Sequence, residues 1–161
     1  MKRRLRPAPR ATYSLIDELT ASPTAPMPEA KRLHQLTRMW EGLRAIELAP
    51  EPTTEDWRVC SDAVNLMETL VSMGKVNDSS GLLMDAVTAL AMAGRRHIKG
   101  GPIRLDALGI QAVRAVLEDY ASVLDHLSAR TMVRCHRHTE QRLRAIMAGR
   151  HQPHDVEVID L

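Results

Sequence analysis

The arginines near the end of the chain are the residues whose type and spacing most clearly indicate a binding chemistry. Steps of four, three, four and three residues place five side chains on one face of a helix, and they are Arg130, Arg134, Arg137, Gln141 and Arg144. Guanidinium groups bind phosphate or carboxylate oxygens through paired hydrogen bonds. Glu140 is the only carboxylate in residues 128–148. The sequence therefore predicts an anion-binding face that needs a partner.

A second basic cluster lies at the start of the chain. Residues 1–10 contain no acid and five basic side chains, which are Lys2, Arg3, Arg4, Arg6 and Arg10. Segments of this kind follow a phosphate backbone or an acidic protein groove. Trp40 and Trp57 lie on predicted core seams and are not placed for base stacking. We therefore expect contact with a nucleic-acid backbone and little reading of its sequence.

The charge of the rest of the chain gives these arginines a competing partner. Residues 11–127 have 11 basic and 16 acidic side chains, a net charge of −5. Pairing of the arginine face with this acidic part of the same chain is the structural alternative to a binding role. Surface ion pairs of this type are common and individually weak.

Motifs of the common enzyme classes are absent from the sequence. It contains no phosphate-binding loop, dinucleotide fingerprint, zinc-protease helix or nucleophile elbow. Cys135, His136 and His138 lack the CxxC pair that usually anchors a structural zinc ion. We expect no catalytic residue, no metal and no cofactor, while an enzyme with dispersed catalytic residues remains an alternative.

Apolar residues at helical spacing predict five helices that position these side chains. Their approximate ranges are 29–48, 53–74, 77–97, 106–127 and 128–148. An aromatic content of only 2% favours helix-on-helix packing over a sheet. Between residues 82 and 93 the third helix is apolar nearly all round, which is typical of a central helix. The predicted fold is an all-α irregular bundle of about five helices around a buried third helix.

The chain divides into three predicted parts. Residues 1–28 form a basic, proline-rich and poorly packed extended arm, within which residues 13–19 could add a strand or a turn. Residues 29–149 form the helical bundle domain, and residues 150–161 form a short acidic C-terminal tail. The basic start is not followed by the apolar region of a signal peptide, and no apolar run is long enough to cross a bilayer. We therefore expect a cytoplasmic protein that does not contact a membrane.

Several runs of residues carry a resemblance to other proteins. They are LTRMW at 36–40, TEDWR at 54–58, SDAVNLM at 61–67, SGLLMDA at 80–86 and AGRRH at 93–97. Over about residues 30–148 the chain resembles small uncharacterised helical accessory proteins of phages, prophages and plasmids of high-GC proteobacteria. The resemblance implies no activity and no catalytic residue. It implies a mobile-element context, in which such proteins serve as regulators, DNA-handling factors or inhibitors of host defence.

These observations together predict a non-enzymatic binding protein of a mobile element. Its partner is expected to be nucleic acid or a nucleoprotein complex, bound through the arginine face and the basic arm. The alternative is an inhibitor or adaptor of the anti-defence or anti-CRISPR type, which binds an acidic protein surface on a host complex. The apolar seams on the helices are also compatible with a homodimer.

Overall fold

The computed structural model of the protein describes residues 11–149, and within this range it forms six helices and no strand. The helices are α1 (Leu15–Thr20), α2 (Glu29–Leu48), α3 (Thr54–Ser72), α4 (Leu83–Ile98), α5 (Ala107–Leu124) and α6 (Ala129–Met147). The predicted all-α class is confirmed. The predictions for the basic cluster at Lys2, Arg3, Arg4 and Arg6, and for the acidic tail, concern residues outside the described range.

Local sequence signals set the helix ends close to the predicted positions. At the start of α3, Asp56 N donates to Thr53 Oγ1 at 3.2 Å and Thr53 N donates to Asp56 Oδ2 at 2.7 Å, which is a reciprocal capping box. Ser128 caps α6 by accepting from Thr131 N at 3.1 Å. Gly74, with φ of +67°, follows the last turn of α3 in the left-handed conformation that glycine adopts most readily.

The central helix is α3, and the prediction that the third long helix, now α4, is buried on all sides is wrong. α3 packs against α2, α4, α5 and α6, and its Cys60 and Leu70 are completely buried. α4 packs against α3 and α5 but leaves Met84 and Met92 more than half exposed. The apolar run in α4 consists largely of alanine and methionine. The buried residues of the run are Leu83, Ala86, Val87, Leu90 and Ala93, so one face of α4 packs on the bundle while the two methionines lie on the outer face.

α1 is a helix that the sequence analysis did not predict. Ser14 and Asp17 form a capping box at its start, in which Ser14 N donates to Asp17 Oδ2 at 2.6 Å. The helix packs against α6, and its Glu18 is only 6% exposed. The expectation of a poorly packed arm over residues 1–28 therefore does not hold for α1. Six residues are too few to show a helical period in the sequence.

Candidate docking surface on helix α6

Contacts with α3 fix the rotation of α6 about its axis. Met132, Cys135 and Thr139 are buried on one side of α6. The Thr139 Oγ1 atom lies 2.6 Å from Thr69 Oγ1, and Cys135 Sγ donates to Leu66 O at 3.4 Å. These contacts occupy the side of α6 that the spacing predicts to be apolar. The arginines at positions 130, 134 and 137 consequently lie on the opposite side of the helix.

α1 occupies part of the predicted arginine face. Arg134 Nε donates to Glu18 Oε1 at 2.7 Å, and Arg137 Nη1 donates to Glu18 Oε2. The hydrogen bond from Arg134 is the largest of the effects that hold the pKa of the Glu18 carboxyl below its ordinary value. Lost hydration opposes it, and the hydrogen bond and charge of Arg137 add to the lowering. Two arginines thus share one carboxylate.

Arg130 contacts the C-terminal end of α1. Its Nη2 donates to Leu19 O at 3.0 Å and its Nε donates to Ala21 O at 3.3 Å. Its backbone N–H also donates to Ser22 O at 2.9 Å. The last carbonyl groups of a helix lack intrahelical partners and carry a partial negative charge, so a guanidinium is favourable there. Arg130 therefore holds the end of α1 against the start of α6.

The segment before α1 continues along α6 toward its C-terminal half. Thr12 N donates to Glu140 Oε1 at 2.9 Å. The ring centroids of Tyr13 and His136 are 5.3 Å apart, with an edge-on angle of 62° between the ring planes. Residues 12–22 therefore run antiparallel to α6 from Glu140 to Arg130, and we call them the N-terminal strap. Ion pairs, backbone hydrogen bonds and one ring contact attach the strap to α6.

The structure divides the predicted arginine face into two parts. Arg130, Arg134 and Arg137 contact the strap. Arg144 instead pairs with Glu140 of its own helix, with Arg144 Nη2 at 3.9 Å from Glu140 Oε2. The side chains of Arg134 and Arg144 remain 44% and 48% exposed, and Gln141 is exposed as well. All four arginines of this face therefore have partners within the chain: Arg134 and Arg137 pair with a carboxylate of the strap, Arg130 binds carbonyl oxygens of the strap, and Arg144 pairs with Glu140. The carboxylate of the strap is that of Glu18.

Sequence reasoning missed two acidic partners of α6. Glu18 could have been found from the Ser14–Asp17 capping signal, which marks the start of a helix directly before it. Glu68 pairs with Arg142, whose Nη2 lies 2.8 Å from Glu68 Oε2. Arg142 falls off the four-three spacing of the arginine face, so that pattern did not select it.

The strap also carries an exposed apolar patch. Leu15, Ile16 and Leu19 of α1 are 54%, 71% and 62% exposed. α1 is short, and its one buried side chain is that of Glu18, so these three apolar side chains face outward. Adjacent exposed aliphatic side chains beside a basic helix are typical of a surface that contacts another protein.

Side chains that could hold a metal ion do not converge in the part of the chain that the structure describes. No group of three or more His, Cys, Asp or Glu side chains in residues 11–149 could hold a metal ion. Burial raises the pKa of Cys60 and of Cys135 to about 12, so both thiols stay protonated and unreactive at neutral pH. Burial also lowers the pKa of His136. No helix in this range is both long and apolar enough to span a bilayer.

Comparisons with known proteins add no relative to this picture. No protein-family model, curated protein or solved structure matches the chain.

Proposed function

We propose that this protein is a non-enzymatic binding protein of a mobile element that docks on a nucleic-acid backbone or nucleoprotein complex. The docking surface consists of the N-terminal strap and the outer face of α6. One observation carries the proposal: Arg134 and Arg137 share the single carboxylate of Glu18, while Arg130 contacts neutral carbonyl oxygens. An excess of positive charge therefore remains on this surface and attracts a polyanion.

The proposal includes the basic start of the chain, which comes directly before the strap in the sequence. Thr12 contacts Glu140 on the C-terminal half of α6, and the basic cluster of residues 2–10 directly precedes it in the chain. Covalent geometry confines Arg6 to within roughly 20 Å of Thr12, at about 3.5 Å per residue. The arm and the arginines of α6 can therefore contact one stretch of phosphate backbone. The mobile-element context rests on the resemblance of residues 30–148.

The exposed patch on α1 favours a second candidate function. Leu15, Ile16 and Leu19 offer an apolar contact beside exposed guanidinium groups. Protein interfaces combine a desolvated apolar centre with a polar and arginine-containing rim. An inhibitor or adaptor that binds an acidic surface on a host protein would use the same side of the molecule.

A salt titration of binding to nucleic acids tests the proposed function. We expect the full chain to bind duplex and single-stranded DNA and RNA with little sequence preference, and with affinity that falls steeply as salt rises. Arg134→Ala should weaken binding to all sequences and lower the slope of log affinity against log salt by about 1. Fluorescence anisotropy at several salt concentrations measures both quantities.

Arg114→Ala is the matched control for this experiment. Arg114 is as exposed as Arg134 and also pairs with one carboxylate, at 2.7 Å from Glu47, but it lies on α5. It should leave the salt slope unchanged. Absence of binding to every nucleic acid at low salt would exclude the proposed function. The second candidate would then be tested by partner capture with the wild type and with Ile16→Asp, which places a charge in the apolar patch.

A further inference from the structure

A cleft on a different face of α6 has the features of a small-ligand site. It lies between α3, α4 and α6 and has a volume of about 160 Å³. Its α6 lining comes from Arg142, Leu143 and Ile146, whereas the arginines at 130, 134 and 137 contact the strap. The cleft is therefore distinct from the proposed docking surface, and the two can be tested separately.

Three polar atoms buried in the lining of this cleft have no hydrogen-bond partner among the described residues. They are Ser61 Oγ, Glu68 Oε2 and Arg142 Nε. Ser61 is only 8% exposed, so little water reaches its hydroxyl. Glu68 Oε2 lies 2.8 Å from Arg142 Nη2, but the contact does not have hydrogen-bond geometry. Buried polar groups normally have a partner, and three in one cleft indicate that a partner binds there.

Six of the remaining residues of the lining are aliphatic, and they are Val64, Val87, Leu90, Ala91, Leu143 and Ile146. Trp57, Arg58, Asp62 and Asn65 of α3 complete the walls. A ligand that fills the cleft must therefore carry an aliphatic group as well as polar ends. A cleft of this size suits a small molecule such as an amino acid.

The chemistry of the unpaired atoms selects the polar ends of that ligand. Arg142 Nε carries an N–H that requires an acceptor, which a carboxylate supplies best. Glu68 Oε2 is an acceptor that requires a donor, which an ammonium group supplies best. The Ser61 hydroxyl can donate or accept. We infer that the cleft between α3, α4 and α6 binds an aliphatic α-amino acid, with its carboxylate toward Arg142 and its ammonium group toward Glu68.

Titration calorimetry of the full chain with L-valine and L-leucine tests this inference. We expect both to bind, and we expect isovalerate and isobutylamine, which each lack one polar end, to bind about tenfold or more weakly. Equal binding of isovalerate or isobutylamine would overturn the zwitterion assignment. No binding of either amino acid at millimolar concentration would overturn the site itself.

Two substitutions test whether binding occurs in this cleft. Ser61→Ala removes an unpaired buried hydroxyl, so the variant should fold and should bind L-valine several-fold more weakly. Ala91→Leu fills the cleft and should abolish binding. Ala107→Leu adds the same volume at an exposed position at the start of α5 and should bind as the wild type does. Unchanged binding in both Ser61→Ala and Ala91→Leu would overturn the location of the site, whatever the result with nucleic acids.

Discussion

Two carboxylates contact arginines on different faces of α6, and they differ in how completely their hydrogen bonds are satisfied. Glu18 accepts from both Arg134 and Arg137, one guanidinium at each carboxylate oxygen. Glu68 lies beside Arg142, yet Glu68 Oε2 and Arg142 Nε both lack a hydrogen-bond partner among the described residues. Both oxygens of Glu18 thus accept hydrogen bonds from within the protein, whereas the Glu68–Arg142 pair has atoms to which a bound molecule could hydrogen-bond.

This difference in hydrogen bonding indicates that the two carboxylates have different roles. A carboxylate with both oxygens hydrogen-bonded to guanidinium groups stabilises the arrangement that brings them together. A buried pair with unsatisfied atoms costs stability, because those atoms lost their water and received nothing in return. We therefore interpret Glu18 as the residue that attaches the strap, and Glu68 with Arg142 as part of a binding cleft. The following substitutions test this contrast in order of decreasing effect.

Removal of the Glu18 carboxylate should have the largest effect on stability. Glu18→Ala leaves Arg134 and Arg137 without their shared acceptor and loosens α1 from α6. We expect the free energy of unfolding to fall by about 1–2 kcal/mol, less than for a fully buried pair because Arg134 is partly exposed to solvent. Urea denaturation measures this change. In the Glu18→Ala protein, hydrogen exchange should be faster at the amides of the strap than at those of α3.

Glu47→Ala is the matched control for Glu18→Ala. Glu47 pairs with one arginine, Arg114, on a more exposed part of the surface. Its loss should cost no more than about 0.5 kcal/mol. A Glu18→Ala protein as stable as Glu47→Ala would show that backbone contacts hold the strap and that the carboxylate does not.

The sequence predicted the long helices well because their signals are local. Thr53 and Ser128 are capping residues followed by periodic apolar positions, and both cap the helices as expected. α1 was missed because its stabilising contact, between Glu18 and Arg134, joins residues 116 positions apart. The burial of α4 was mispredicted because composition counts apolar residues without showing which of them meet a neighbour.

The candidate sites were predictable to different degrees. The spacing of Arg130, Arg134 and Arg137 correctly indicated that they share a face of α6, since that relation depends on the helix alone. What covers the face depends on tertiary packing. Ser61 and Glu68 gave no signal, because an unsatisfied atom is defined by the neighbours it lacks in the folded structure.

The stability contributed by Glu18 should depend on pH. Its arginine partners lower the pKa of the carboxyl in the folded state relative to the unfolded state, where it is about 4.3. The contribution is therefore fully present above about pH 5, and it is lost as the pH falls through the folded-state pKa. The difference in unfolding free energy between the wild type and Glu18→Gln should be constant from pH 7 to about pH 5. It should then shrink on further acidification, as measured by urea denaturation at each pH.

Replacement of the Glu68–Arg142 pair should have the smallest effect on stability and the clearest effect on binding. In Glu68→Leu/Arg142→Leu, two aliphatic side chains take the place of a partly buried ion pair with unsatisfied atoms. Such replacements are often neutral or stabilising, so the free energy of unfolding should stay within about 1 kcal/mol of the wild type or rise. The same variant should lose binding of L-valine, because both polar ends of the cleft are gone. A loss of stability comparable with that of Glu18→Ala would instead make the pair a structural contact like Glu18, and the contrast between the two faces of α6 would no longer hold.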